Sequence, residues 1–245
     1  SELAIRAFVR VLETQPEHET ARSRLERVYE NLSRTDALIE SLRQRLERTE
    51  DRGVREAILL RIAGLQDTKL DSPDAAIDTL EALLGEQPGL PGAIHALEQL
   101  AEARDAQRVR LFGILRPLYE SARDVMRLVA VDEWQLTQTE DPVQRHELLR
   151  NIAALLEPQG EQGPEFAFHA LVRALAEPGP ESALELLDAE ILRLSRQYGF
   201  DYDLRQAMLQ AAEAESLRGD AARRVAFMLQ AAQLAVNAAD NDAAI

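Results

Sequence analysis

The 245-residue chain contains no cysteine, which excludes a disulfide framework, thiolate catalysis and sulfur-ligated metal. Aromatic residues make up only 4 %, with a single tryptophan, and β-branched residues are sparse, so very little sheet is expected. No apolar run approaches the ~18 to 20 residues of a membrane span, and direct membrane insertion is not expected. Basic residues are outnumbered, 28 against 43 acidic, for a formal net charge of −15. A field of that sign disfavours nucleic-acid phosphates and anionic membranes. No concentrated basic run offsets it: the arginines alternate with acids, as in RQRLERTEDRGVRE (43–56), the pattern of a solvated helical surface with i,i+4 pairs.

What remains is rich in Leu, Ala, Glu, Arg and Gln, all good helix formers. Apolar residues recur at spacings of three and four and are interrupted every dozen or so positions by turn signals. The pattern predicts helices over 3–14, 18–32, 35–48, 52–67, 73–86, 90–103, 105–121, 124–138, 142–156, 163–177, 180–197, 202–217 and 220–237. Ser72-Pro73 and Asp141-Pro142 place a capping residue before a proline suited to a first turn. Gln15-Pro16, Gln87-Pro88 and Glu177-Pro178 end the preceding helices, and Gly199 and Gly219 suit helix exits. Pro117 lies inside a good helical pattern and is expected to kink or divide it.

The segments repeat. At an offset of 72, Pro88 falls on Pro16, Ile77 on Ile5, Leu84 on Leu12, Ala93 on Ala21 and Leu97 on Leu25. At an offset of 90, Tyr29-Glu30 falls on Tyr119-Glu120, Glu50-Asp51 on Glu140-Asp141, Arg55 on Arg145 and Ile62-Ala63 on Ile152-Ala153. After a one-residue slip Ala76, Leu80 and Leu84 meet Ala167, Leu171 and Leu175; Ala93 and Leu97 then return to register on Ala183 and Leu187. An amphipathic hairpin leaves one face unburied on its own, and stacking hairpins removes that exposure. The expected fold is therefore all-α: an alpha-alpha superhelix of stacked antiparallel helix hairpins with about thirteen helices, in compound units of roughly four to five. No linker demands a second domain, so residues 1–245 are expected to form one helical repeat domain, a fragment of a longer protein.

Three stretches carry a family resemblance: DAAIDTLEALLGEQPGLPGAIHALEQLAE, LAIRAFVRVLETQPEHETARSRLERVYE and, more loosely, PEFAFHALVRALAEPGPESALELL. With Ala75, Ala76, Leu80, Leu83 and Pro88 in a second helix and Ala93 and Leu97 in the next first helix, the chain resembles the tetratricopeptide-repeat family. It departs from the standard pattern by lacking the Trp and Leu-Gly signals of the first helix and by spacings above 34 residues. The resemblance implies a right-handed solenoid whose concave side binds peptide segments or proteins.

Catalytic signatures are missing from the sequence. His18, His95, His146 and His169 are far apart and lack metal-ligand spacing. Asp71, Asp74 and Asp78 sit near a helix start without a calcium-loop pattern. Gly85, Gly89 and Gly92 lack phosphate-loop or dinucleotide spacing. No catalytic, cofactor or metal site is expected. Candidate partner-binding residues are Arg22 and Arg24, able to clamp a carboxylate, Trp134 as an anchor, and the aromatics Tyr198, Phe200 and Tyr202 of YGFDY. The function expected is a noncatalytic protein–protein interaction or assembly scaffold with a protein or peptide partner. The alternative is a helical enzyme or small-ligand domain with a polar pocket around His95, His146 or His169. Homo-oligomerisation would use the apolar stacking face of a terminal hairpin. A cytoplasmic address is favoured, with any targeting signal carried by the parent protein.

Overall fold

The computed structural model describes residues 1–214 and 217–243. These form thirteen α-helices and no strand: α1 Glu2–Thr14, α2 Glu19–Asn31, α3 Thr35–Arg48, α4 Arg52–Thr68, α5 Pro73–Glu86, α6 Pro91–Ala103, α7 Arg108–Ala122, α8 Val125–Gln138, α9 Pro142–Leu156, α10 Gly163–Leu175, α11 Glu181–Tyr198, α12 Asp201–Glu213 and α13 Ala221–Ala243. The fold is all-α, as the spacing of apolar residues predicts. Most ends fall within two residues of expectation because local chemistry fixes them. Asp51 and Asp141 accept from the Val54 and Val143 amides at 2.9 and 3.1 Å, satisfying first-turn donors. Gly199 closes α11 in the left-handed region at φ 80°.

One local expectation is narrowed and two are corrected. Pro117 neither ends nor divides its helix: α7 continues through it to Ala122, with Gly113 at the i−4 position that a proline ring crowds. Ser72 precedes Pro73 but makes no side-chain cap; its hydroxyl donates backward to the Leu70 carbonyl at 3.2 Å. The twelfth helix ends at Glu213 rather than 217, and the thirteenth runs to Ala243.

The chain divides into two compact units, Ser1–Leu118 and Tyr119–Ile245. In the first, each helix from α1 to α6 packs on the next, and α4 also touches α6. In the second, α8 to α13 pack in sequence, with added contacts of α9 with α11 and α10 with α12. Contacts between next-but-one helices place alternate helices in one layer, the signature of stacked hairpins. Leu80, Leu83, Leu97, Ala76 and Ala93 fill the layer interface of the first unit. Leu149, Ile152, Leu171, Leu187, Ile191 and Phe227 do so in the second. Alanines at the contact positions let backbones approach while the leucines fill the space between them.

The 90-residue repeat is atomic. Ser33 and Arg123 both take left-handed backbone, φ 53° and 55°. The next residues, Arg34 and Asp124, each donate an amide to a tyrosine carbonyl, of Tyr29 and Tyr119, at 2.9 Å. Arg55 donates from one terminal nitrogen to the Leu46 and Thr49 carbonyls at 3.0 and 3.3 Å, and from the other to Glu86 at 3.4 Å. Arg145 does the same to the Leu136 and Thr139 carbonyls at 2.8 and 3.1 Å and to Glu177. Each arginine thus caps the open carbonyl end of one helix and ties it to the end of another. The 72-residue offset marks a shared turn: Gln15 and Gln87 adopt φ −135° with ψ 79° and φ −137° with ψ 82°.

Candidate functional site

The two candidate arginines face different surroundings. Arg22 is buried; its guanidinium donates to the Pro16 carbonyl and lies 3.5 Å from Glu19. That arrangement supports the turn between α1 and α2. Arg24, two residues on, is exposed. Trp134 is half-buried on α8. Around YGFDY the structure brings two of the three aromatics together. Tyr198 stacks on Phe200 with centroids 6.3 Å apart, and Phe200 packs on Phe168 at 5.0 Å. The Tyr198 hydroxyl donates to Glu157 at 3.3 Å. Tyr202 is exposed beneath the Arg205 guanidinium, 5.0 Å from its ring centre. Phe200 therefore belongs to the core of the second unit, and Tyr202 to its surface.

The histidines are equally dispersed. The His18 ring accepts from the Ala21 amide at 3.2 Å and caps α2, and exposed His169 lies 3.9 Å from Glu165. His146 is fully buried. Its Nε2 lies 3.3 Å from the Glu177 carbonyl, and burial pushes its pKa below the ordinary histidine value. Gly179 covers the ring so closely that a Cβ there would lie 2.7 Å from Nε2. Among the described residues no three His, Asp or Glu side chains converge as metal ligands would.

The first unit holds a cleft of ≈ 510 Å³ along α4 and α6. Leu60, Ala63, Leu80 and Leu100 supply its apolar surface, and Gly64 and Ala96 keep its walls low. One end narrows at Gly92, where a Cβ would meet Leu60 Cδ1 at 3.0 Å; the glycine allows the two helices to close there. The other end is fixed by Arg104 Nε, which donates to Asp67 at 2.9 Å. His95 and Gln99 stand on the rim, with His95 Nδ1 3.8 Å from Glu98. A second cleft, of ≈ 410 Å³, runs along α1, α2 and α3 and is more polar, lined by Arg22, Glu13, Glu40, Gln44 and Arg48.

The second unit spans the corresponding gap with charged side chains. Ninety residues beyond Leu60 and Leu100 lie Arg150 and Glu190, and they form a bidentate ion pair, Nε to Oε2 at 2.8 Å. Ninety beyond Asp67 and Ala103 lie Glu157 and Arg193, also bidentate at 2.7 and 2.8 Å. Gly64, Gly92 and Ala96 become Ala154, Ser182 and Leu186. Two pairs of groove-lining positions in the first unit are thus two ion pairs joining α9 to α11 in the second. Of the candidate partner-binding residues and the histidines, only His95 lies in the α4–α6 groove. The signal that finds the groove is the residue-by-residue difference between the two copies: Leu60, Leu100 and Ala103 are uncharged where Arg150, Glu190 and Arg193 are charged, and Gly64, Gly92 and Ala96 are smaller than Ala154, Ser182 and Leu186. No family model matches the chain, and no curated protein matches it.

Proposed function

We propose that the chain is a noncatalytic binding scaffold, a divergent relative of the tetratricopeptide-repeat family, that takes a peptide or helical segment of a protein partner into the α4–α6 groove. The observation that carries this is the open groove itself. A gap of this kind can be spanned by the fold's own side chains, as the second unit does with Arg150–Glu190 and Arg193–Glu157. The first unit instead keeps Gly64, Gly92 and Ala96 at the corresponding positions. Concave surfaces that are mostly apolar with a few polar groups on the rim suit ligand binding, and aliphatic side chains of a partner would supply the missing layer.

The test is selection of binders from a random peptide library, followed by amide-shift mapping of the bound chain. Perturbations should centre on Ala63, Gly64, Gly92 and Ala96, and Ala96→Trp, which fills the groove from a partly exposed position, should abolish binding with helicity unchanged. Binders that map to the second unit, or that tolerate Ala96→Trp, would sink the proposal.

A further inference from the structure

The last helix, α13, is apolar on two opposite sides. Phe227, Ala231 and Leu234 are buried in the core of the second unit. On the other side Val225, Met228, Leu229 and Val236 are 53, 45, 66 and 53 % exposed, with exposed Ala232 among them. Val225, Leu229, Ala232 and Val236 are spaced four, three and four residues apart, the a/d seam of a heptad pattern. A helix apolar all round belongs in an interior, with a layer on each side. The charge pattern says the same: from Val225 to Ala238 the sequence VAFMLQAAQLAVNA carries no charge, in a chain that is 29 % charged.

We propose that this stripe pairs, antiparallel, with the same stripe of a second copy of the chain. Charge selects the occupant. Each copy carries a net −15, so most faces of two copies repel, but this one does not. The positions flanking the seam, Ala226, Met228, Gln233 and Ala235, are all neutral. Flanking charges of either sign would recruit an oppositely charged helix and reject an identical one; their absence leaves self-pairing unopposed. Side-chain size selects the direction. An antiparallel match sets Leu229 against Ala232 of the partner subunit and Val225 against Val236 of the partner subunit, large beside small. A parallel match would crowd leucine on leucine and leave a gap at the alanine layer. Antiparallel helix dipoles also attract. The stripe offers roughly 300–400 Å² of apolar surface per copy, the scale of a functional patch but below the ~800 Å² per partner of a standard interface. The dimer is therefore concentration-dependent, in the micromolar range or weaker.

Sedimentation equilibrium of the 245-residue chain from micromolar to millimolar concentration is the test. A monomer–dimer equilibrium is expected, and Leu229→Glu, at a solvent-exposed position that leaves helicity unchanged, should weaken it by roughly tenfold or more by placing an unpaired charge in the seam. Because the chain has no cysteine of its own, orientation can be read by oxidation. Val225→Cys mixed with Val236→Cys should give a cross-linked dimer. Val225→Cys alone should not, because the antiparallel match sets its two copies eleven residues, about 16 Å, apart, beyond disulfide reach. A monomer at every concentration, a dimer indifferent to Leu229→Glu, or ready self-cross-linking of Val225→Cys would each overturn the proposal.

Discussion

The α4–α6 gap and the α9–α11 gap are the same place in two copies of one design, and they have been resolved in opposite ways. The frame around them is held constant by the arginine clamps of Arg55 and Arg145, the left-handed residues Ser33 and Arg123 and the aspartate caps Asp51 and Asp141. Within that frame one gap stays open between Leu60 and Leu100 with a single ion pair, Arg104–Asp67, at its end, and the other is spanned by two bidentate ion pairs. Apolar surface left in water forgoes about 25 cal/mol per Å² of burial, whereas partly exposed ion pairs contribute little net stability. The difference therefore teaches more about occupancy than about folding: the second gap is occupied by its own side chains, and the first retains room for another's.

The largest expected effects test the frame. Leu97 and Leu187 are repeat equivalents, both fully buried. Truncation of either to alanine should cost about 2–5 kcal/mol, and by chemical denaturation the two costs should agree to within about 1 kcal/mol. A cost confined to one copy would show that the shared register does not give shared packing.

Next in size is a matched pair of glycines. Gly89 has φ 80° with open space around its Cβ position, whereas a Cβ on Gly179 would strike the His146 ring at 2.7 Å. Gly179→Ala should destabilise by about 1–3 kcal/mol through overpacking, and Gly89→Ala by about 1 kcal/mol through backbone strain alone. Equal losses would break the distinction. His146 adds a pH asymmetry, because its counterpart in the first copy is Glu56. Burial lowers the His146 pKa, so the folded state favours the neutral ring. That stability is fully present above about pH 6.5, the unfolded value, and is lost as pH falls through the lowered folded value. The groups acting on the ring are the Glu177 carbonyl and carboxylate and the Arg223 guanidinium. Amide exchange should show α9 and α10 loosening below pH 6.5 before α4 and α5 do, and His146→Phe should remove the difference.

Much of this was legible in the residues. Proline and aspartate positions marked helix ends because each acts on the backbone within one turn, and the 90-residue register foretold which side chains share a role: Arg55 and Arg145 aligned before their carbonyl partners were visible. Three things escaped. The cap on α2 is a histidine, His18, a type whose ring nitrogen caps only in one rotamer and tautomer. Pro117 allowed either a kink or a division, and α7 runs through it, because a packed helix tolerates one lost hydrogen bond. The groove escaped because its residues are defined by smallness. Gly64 and Ala96 look like ordinary packing positions until their counterparts Ala154 and Leu186 are set beside them, whereas the conspicuous Arg22 and Phe200 stand elsewhere, at the α1–α2 turn and against Phe168.

The smallest expected effect is the sharpest test of the comparison. Arg193 and Glu157 are respectively half-exposed and partly exposed, and the Arg193 guanidinium, by donating to it, holds the Glu157 carboxyl below its ordinary range. Such a pair stabilises the fold above the unfolded glutamate pKa and loses that contribution as pH falls, but solvent screening keeps it small. Arg193→Ala, which restores the first copy's Ala103, should cost no more than ~1 kcal/mol while the Glu157 carboxyl titration, followed by NMR, moves upward. If the ion pairs serve to occupy the gap, then combining Arg193→Ala with Arg150→Leu should leave unfolding nearly unchanged yet let the second unit acquire peptides selected on the first. A large loss of stability without any gain in binding would mean that the ion pairs hold α9 to α11, and that the open groove of the first unit owes nothing to their absence.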